Sequence, residues 1–175
     1  SQNQSNVTEA AANTMYAIGL LKTNNGDYKS SLNDYNALIK YNDKNPIYFY
    51  QRGLAYSKMG RYPEAINDFD QSININNKFV AAYYARAKPK QTKGEYREAI
   101  KDLDKIISVN ENDVKAYKER GDIKTLLGNY KAALSDFNDA IEIDAQYSEA
   151  YISRGLTKAM MNNNKAAMTD FHTAV

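Results

Sequence analysis

Residues 49–69 read FYQRGLAYSKMGRYPEAINDF, and this stretch carries two helical patterns separated by a turn. Phe49, Gly53 and Tyr56 lie at positions i, i+4 and i+7, so they share one face of a first helix. Gly60 stands where that helix ends, because glycine adopts the left-handed backbone conformation at little cost. A proline follows in the first turn of a second helix, where its missing N–H is not needed. The stretch therefore predicts an antiparallel helical hairpin.

The same pattern recurs every 34 residues along the chain. Small residues form one column at this period, namely Gly19, Gly53, Ala87, Gly121 and Gly155. Large side chains form another column, namely Tyr35, Phe69, Leu103, Phe137 and Phe171. Because these columns share one period, they indicate internal repeats, which stack to cover the apolar face that a single hairpin leaves open. We predict repeats at 12–45, 46–79, 80–113, 114–147 and 148–175, the last incomplete, after a polar N-terminal lead at 1–11.

Two parts of the repeat resemble the sequence pattern of the tetratricopeptide repeat family. The string FxxRGxxY at residues 49–56 is similar to the family's aromatic–Leu-Gly–Tyr pattern, and AxxxF at residues 65–69 is similar to its Ala–Phe pattern. The resemblance covers residues 12–175. It implies an all-α fold, a right-handed superhelical solenoid of five antiparallel helix hairpins. In that family the concave face is lined by the first helix of each hairpin and binds a peptide or a partner helix.

Two of the chain's departures from the family pattern concern its binding surface and its last hairpin. Members that bind chaperone tails carry a carboxylate clamp of Lys, Asn and Arg on successive first helices. The corresponding positions here are Tyr16, Leu20, Gln51, Ala81 and Ala85, so the resemblance does not extend to that clamp. The fifth repeat also has asparagines at 162–164, where the other repeats carry the Gly and Tyr of the turn.

The composition argues against catalysis and against binding of nucleic acid. The chain has 23 basic and 21 acidic side chains and a net charge of +2, whereas phosphate binding draws on a clustered basic surface. It has no cysteine and one histidine, His172, which is read as an ordinary surface residue, so its residues assemble neither a His/Cys metal site nor a Ser-His triad. No phosphate-binding loop motif is present. We therefore expect a protein that is not an enzyme and that uses no cofactor or metal.

Membrane insertion is not expected, because no run approaches the roughly 18 apolar residues of a membrane-spanning helix. The absence of cysteine does not identify the cellular compartment. The cytoplasm is favoured, and the periplasm and export stay open. The asparagine-rich composition is typical of an AT-rich, bacterial genome.

Two charged columns recur with the repeat. Aspartate stands at one place in every second helix, at Asp34, Asp68, Asp102, Asp136 and Asp170. Arginine stands at one place in four first helices, at Arg52, Arg86, Arg120 and Arg154. The first repeat has Ile18 there, which fits a pairing of each arginine with the aspartate of the preceding repeat. We predict structural ion pairs on this rule, joining Arg52 to Asp34, Arg86 to Asp68, Arg120 to Asp102 and Arg154 to Asp136.

The concave face is predicted to form a groove with an aromatic part and a charged part. The aromatic part contains Tyr16, Tyr50 and Tyr84, with Leu20 and Leu54 one helical turn further on. The charged part contains Lys88, Lys115, Lys118 and Asp122. Such a lining would fit an apolar segment followed by acidic residues. The alternative is that the tyrosines only pack against neighbouring first helices.

Two functions remain open at the level of sequence. The leading hypothesis is a non-catalytic scaffold that binds another protein or a peptide in the groove. The alternative is a structural or assembly module that self-associates as a homodimer, or docks a further domain, through its C-terminal repeat. Met168, Phe171 and Val175 lie on the last helix, whose outer face a following element normally covers. We therefore expect either further repeats or a second copy against this face.

Overall fold

All regular structure in the described part of the chain is α-helical. The computed structural model describes residues 8–175. Its helices are α1 (Glu9–Asn24), α2 (Tyr28–Tyr41), α3 (Pro46–Lys58), α4 (Tyr62–Ile75), α5 (Val80–Thr92), α6 (Tyr96–Val109), α7 (Val114–Leu126), α8 (Tyr130–Ile143), α9 (Ser148–Met160) and α10 (Asn164–Thr173). The predicted all-α class and the alternation of first and second helices are confirmed. None of the helices within residues 8–175 is long and apolar enough to cross a membrane.

The first helix begins earlier than predicted. Thr8 is its N-cap, and the Thr8 Oγ1 accepts a hydrogen bond from the backbone N–H of Ala11 at 3.2 Å. Glu9 places a negative charge in the first turn, where it complements the helix dipole. Residues 9–11, predicted as part of a polar lead, are therefore helical. Residues 1–7 of that lead lie outside the described residues.

The turns inside the hairpins use the left-handed backbone conformation. Four of them place a glycine at φ between +74° and +81°, namely Gly26, Gly60, Gly94 and Gly128. The fifth turn has Asn162 at φ 60° instead, and asparagine is the residue that most readily replaces glycine there. The last hairpin therefore keeps its turn although it lacks the glycine.

The chain forms two compact units, which divide between Lys93 and Gly94. In the first unit, helices α1 to α5 pack in order of sequence, each on the next. Its core is built around the fully buried Tyr35, Leu38 and Phe69.

The second unit is packed in the same way. Helices α6 to α10 pack each on the next, and α7 also contacts α9. The hydroxyls of Thr125 and Thr157 lie 2.8 Å apart and join these two first helices. The core of this unit is built around Leu103, Ile106 and Phe137, all fully buried.

The glycine column allows the two helices of a hairpin to approach closely. A β-carbon placed on Gly121 would lie 2.5 Å from Cε1 of Phe137, closer than any van der Waals contact. The corresponding distance from Gly53 to Cε1 of Phe69 is 2.7 Å. The large ring on the second helix therefore occupies the space that a side chain on the first helix would need.

Candidate functional site

Tyr16 on α1 and Tyr50 on α3, two residues of the predicted aromatic part of the groove, both pack against buried rings of the first unit. The Tyr16 ring packs at 5.9 Å from the ring of the buried Tyr48. The Tyr50 ring packs at 5.0 Å from Phe79 and 6.1 Å from Phe69. Both tyrosines remain partly exposed. They therefore contribute to packing and also present a surface to solvent.

Polar groups connect this face across neighbouring first helices. The side-chain amide of Gln51 on α3 donates to the hydroxyl of Tyr16 on α1 at 3.4 Å, a long hydrogen bond. Burial raises the pKa of the Tyr50 hydroxyl, and the neighbouring Tyr16 adds to the effect. We use the name tyrosine face for Tyr16, Tyr50, Tyr84 and Gln51. Leu20 and Leu54 are partly buried, and Lys88 is exposed.

Three residues of the predicted charged part, Lys115, Lys118 and Asp122, lie on α7 of the second unit and are paired within that helix, whereas Lys88 lies on α5 of the first unit. Lys118 Nζ lies 2.9 Å from Asp122 Oδ2, and Lys115 Nζ lies 3.8 Å from Glu119 Oε1. Burial is the largest single influence and acts to lower the pKa of Lys118, but the hydrogen bond and the charge of Asp122, together with the influence of Tyr147 and Glu119, outweigh it, so the pKa is raised. A partner would therefore compete with these intrahelical carboxylates for the lysines.

An apolar ridge on α9 was not predicted from the sequence. Ile152, Leu156 and Met160 are 43%, 54% and 56% exposed, and they lie at i, i+4 and i+8. Ile152 and Leu156 occupy the columns that hold Lys118 and Asp122 one repeat earlier. The 34-residue period therefore contained the signal, since it assigns these residues to the same face of their helix.

The predicted pairing of each arginine with the aspartate of the preceding repeat is wrong. Arg52 donates through Nε and Nη2 to both carboxylate oxygens of Asp68, in its own hairpin, at 2.8 and 2.6 Å. Arg120 binds Asp136 in the same way at 3.1 and 2.7 Å. Arg154 repeats the arrangement with Asp170, at 3.0 and 2.6 Å. The fork-shaped guanidinium thus satisfies the aspartate that its own hairpin buries.

The arginines do contact the preceding hairpin, at a different column. Their Nη1 atoms donate to the residue that lies two positions after the predicted aspartate. These acceptors are Asn36 for Arg52 at 2.7 Å, Asp70 for Arg86 at 2.5 Å, Asp104 for Arg120 at 2.6 Å and Asn138 for Arg154 at 2.6 Å. Arg52, Arg120 and Arg154 therefore each join two hairpins through one guanidinium.

Lysine also recurs at one place in several first helices, and it binds the aspartate of the same hairpin. Asp34 is held by Lys22 at 2.7 Å. Asp136 and Asp170 each bind a lysine at 2.7 Å in addition to their arginine, namely Lys124 and Lys158. The second hairpin has Tyr56 at this column, and the hydrogen bonds to the Asp68 carboxylate come from Arg52. Asp68 thus occupies a similar buried position with less positive charge around it.

We expect Asp68 and Asp170 to titrate on opposite sides of the ordinary aspartate pKa of about 3.9. Burial raises the pKa of Asp68 more than Arg52 lowers it. Burial also acts to raise the pKa of Asp170, but the bonds from Arg154 and Lys158 outweigh it, so that pKa is lowered. Carbon-13 NMR of the carboxyl carbons measures both values. A pKa of Asp68 at or below that of Asp170 would contradict this account.

The two pKa shifts make the stability of the fold depend on pH in opposite directions. The contribution of Asp68 is fully present below its unfolded-state pKa and is lost as the pH rises through its folded-state pKa. The contribution of Asp170 is present above its unfolded-state pKa and is lost as the pH falls through its folded-state pKa. A Tyr56→Lys variant supplies the lysine that the second hairpin lacks. It is expected to lower the pKa of Asp68 and leave that of Asp170 unchanged.

Within residues 8–175 there is no group of three or more His, Asp or Glu side chains placed to hold a metal ion. His172 is exposed, and its Nδ1 lies 2.7 Å from the backbone oxygen of Met168. This histidine therefore makes a local contact within its own helix.

Comparison with known families gives a consistent result along the chain. Sequence models described as tetratricopeptide repeats match residues 46–79 and 84–148, and a model described as a TPR repeat matches residues 19–60. No curated protein matches the sequence.

Several solved structures share the fold. A crystal structure of MamA is 24% identical with a TM-score of 0.82, and the match covers 90% of this chain and 92% of that one. MamA from Desulfovibrio magneticus RS-1 is 17% identical with a TM-score of 0.85, covering 96% and 94%. YrrB, a TPR protein with an unusual peptide-binding site, is 21% identical with a TM-score of 0.75, covering 91% and 82%.

Proposed function

The chain belongs to the tetratricopeptide repeat family, and from that premise we propose that it is a non-catalytic scaffold that binds a protein or peptide through the first helices of its hairpins. The family is in general one of protein interaction. Function on a repeat fold is carried by the surface that the repeats present. The tyrosine face is the observation that carries the proposal, because it presents partly exposed aromatic side chains at the repeat period.

The chemistry of this face suits a partner of peptide type. Tyrosine provides a large contact area with little loss of side-chain entropy, and it retains a hydroxyl for hydrogen bonding. The packing of Tyr50 on Phe69 and Phe79 holds its ring in place before any partner arrives. A surface that is ordered in advance loses less entropy on binding.

Replacing Tyr50 and Tyr84 together with alanine is expected to weaken partner binding by roughly 2–4 kcal/mol, the range of interface anchors. The partner is first captured from a lysate of the native organism and identified by mass spectrometry, and its affinity is then measured by calorimetry. Tyr41→Ala is the matched control, because Tyr41 is 40% exposed and lies at the end of the second helix α2. Its affinity should equal that of the natural sequence.

The thermal midpoint of the double variant must be measured beside its affinity. We expect stability to change less than binding, although the ring contacts of Tyr50 will add some loss. If the unfolding free energy falls as much as the binding free energy, the tyrosines are packing residues, and the binding surface lies elsewhere.

The alternative is an assembly role for α10, and one observation favours it. Phe171 remains partly exposed, whereas Phe69 and Phe137 at the same column are fully buried. Met168 beside it is 52% exposed. A second copy or a further domain would cover this face. Sedimentation at increasing protein concentration distinguishes the two candidates, since self-association raises the mass.

A further inference from the structure

Two rows of side chains lie at the same columns on neighbouring first helices of the second unit. Residues 118, 122 and 126 form the row on α7, and residues 152, 156 and 160 form the row on α9, each at i, i+4 and i+8. The two helices are in contact, and the Thr125–Thr157 hydrogen bond joins them near one end of the rows. We use the name α7–α9 face for these two rows, which consist of Lys118, Asp122, Leu126, Ile152, Leu156 and Met160.

Most side chains of the α7–α9 face are apolar and exposed. The row on α9 is the apolar ridge described above, and Leu126 at the end of the α7 row is 67% exposed. Exposed apolar side chains that are grouped on one surface mark interaction sites. Side chains spaced four residues apart also form the ridge that interdigitates with the same ridge of another helix in the commonest class of helix packing. The face is therefore suited to pack against a helix.

The charges on the α7 side of this face are balanced. Lys118 and Asp122 bind each other at 2.9 Å, and their side chains are 25% and 37% exposed. Lys115 and Glu119 form a second pair of opposite charges on the same helix. In both pairs the lysine lies one turn before the carboxylate. A strongly acidic or strongly basic partner would attract one charge and repel the other, whereas a surface with the reverse order of charges attracts both.

A second copy of the same face supplies that reverse order. When two identical faces meet about a two-fold axis that lies between them and runs across the helices, each helix meets its own equivalent in antiparallel orientation. With the axis midway between residues 118 and 122, Lys118 of each copy faces Asp122 of the other. Because the two rows share their columns, the same axis makes Ile152 of each copy face Leu156 of the other. A parallel arrangement would instead place the charged row against the apolar ridge, where both charges lose hydration without a partner.

We propose that the α7–α9 face is the surface through which two copies of this chain form an antiparallel, two-fold symmetric dimer. The apolar ridge supplies the buried apolar area. The exchanged pairs of Lys118 and Asp122 fix the orientation, since charges across an interface give specificity more than affinity. The α7–α9 face contains no residue of the tyrosine face and none of α10, so the dimer is separate from both functions considered above.

Sedimentation of the whole chain at increasing concentration measures formation of the dimer. We expect a reversible monomer–dimer equilibrium, weakened about tenfold or more by Leu156→Glu. Met168→Glu is the matched control, because Met168 is 52% exposed and lies on α10. It should leave the dissociation constant unchanged, and circular dichroism of each variant verifies that the helices are retained. A chain that stays monomeric at the highest concentration overturns the inference, and so does a dimer that Met168→Glu weakens and Leu156→Glu does not.

Exchange of charges tests the antiparallel pairing itself. Lys118→Glu and Asp122→Lys each place like charges opposite one another in the dimer, so each variant alone should dimerise about tenfold or more weakly. When the two variants are mixed, every carboxylate faces a lysine again. Energy transfer between a donor label on one variant and an acceptor label on the other should therefore show a mixed dimer that forms as readily as the natural one. No recovery on mixing would overturn the antiparallel pairing. Neither result bears on the scaffold function, which is judged by capture of the natural partner.

Discussion

Replacing Asp136 with alanine is expected to lower the free energy of unfolding by about 3–5 kcal/mol. The Asp136 side chain is 3% exposed and neutralises two cations, Arg120 and Lys124, whose side chains are 17% and 20% exposed. Without the carboxylate, both cations stay largely desolvated and lie next to each other without their shared anion. Leaving these cations unpaired destabilises the fold more than the loss of a surface contact would, because they have already given up their hydration. Urea unfolding measures the change.

The matched control for this experiment is Asp104→Ala. Asp104 accepts from the same arginine at 2.6 Å, but its side chain is 52% exposed. Exposed ion pairs typically contribute about 0–1 kcal/mol, so this variant should lose no more than that. If the two variants lose the same stability, burial of the Asp136 cluster is not the source of its contribution.

Replacing Phe137 with alanine is also expected to cost about 3–5 kcal/mol, because the ring is fully buried and its removal leaves a cavity. The partner residue is Gly121, whose missing β-carbon makes room for the ring. Gly121→Ala alone should cost about 1–3 kcal/mol through overpacking. Chemical denaturation of both variants gives these values.

The double variant tests whether the two positions act on each other. Once the ring is gone, the alanine methyl at position 121 meets no clash, and alanine is about 1 kcal/mol better than glycine in a helix. We therefore expect the double variant to be at least as stable as Phe137→Ala alone. Simple addition of the two losses would show that Gly121 is not kept small by the ring.

The sequence predicted the fold well because the fold repeats. The columns of Gly53 and Phe69 identify which helix faces meet, and the same faces meet in every hairpin. The start of α1 was misplaced by a few residues, because its cap, Thr8, lies before the first full repeat and has no counterpart to align with. Asn162 was read as a lost turn signal, although asparagine adopts the conformation that the glycines adopt.

The side-chain pairings could not be derived from the period. Arg52 lies 16 residues from Asn36 and 16 residues from Asp68, and it reaches both. Periodicity assigns a residue to a face but does not say how far its side chain extends along the chain in either direction. The same limit applies to Tyr50, whose contacts with Phe69 and Phe79 depend on ring orientation. The proposed groove remains a prediction for this reason.

The acceptors at the hairpin junctions differ in charge along the chain. The terminal junctions use the neutral side chains Asn36 and Asn138, whereas the inner junctions use the carboxylates of Asp70 and Asp104. A stack of repeats behaves approximately as a one-dimensional Ising chain, in which each junction contributes a nearest-neighbour coupling. Hydrogen bonds between charged groups are stronger than those to neutral acceptors. The terminal hairpins therefore have the weaker coupling and open first in local unfolding. Added salt screens the ion pairs of the inner junctions and leaves the neutral junctions unaffected. It therefore reduces the difference in coupling, so the rates of amide hydrogen exchange become more uniform along the chain.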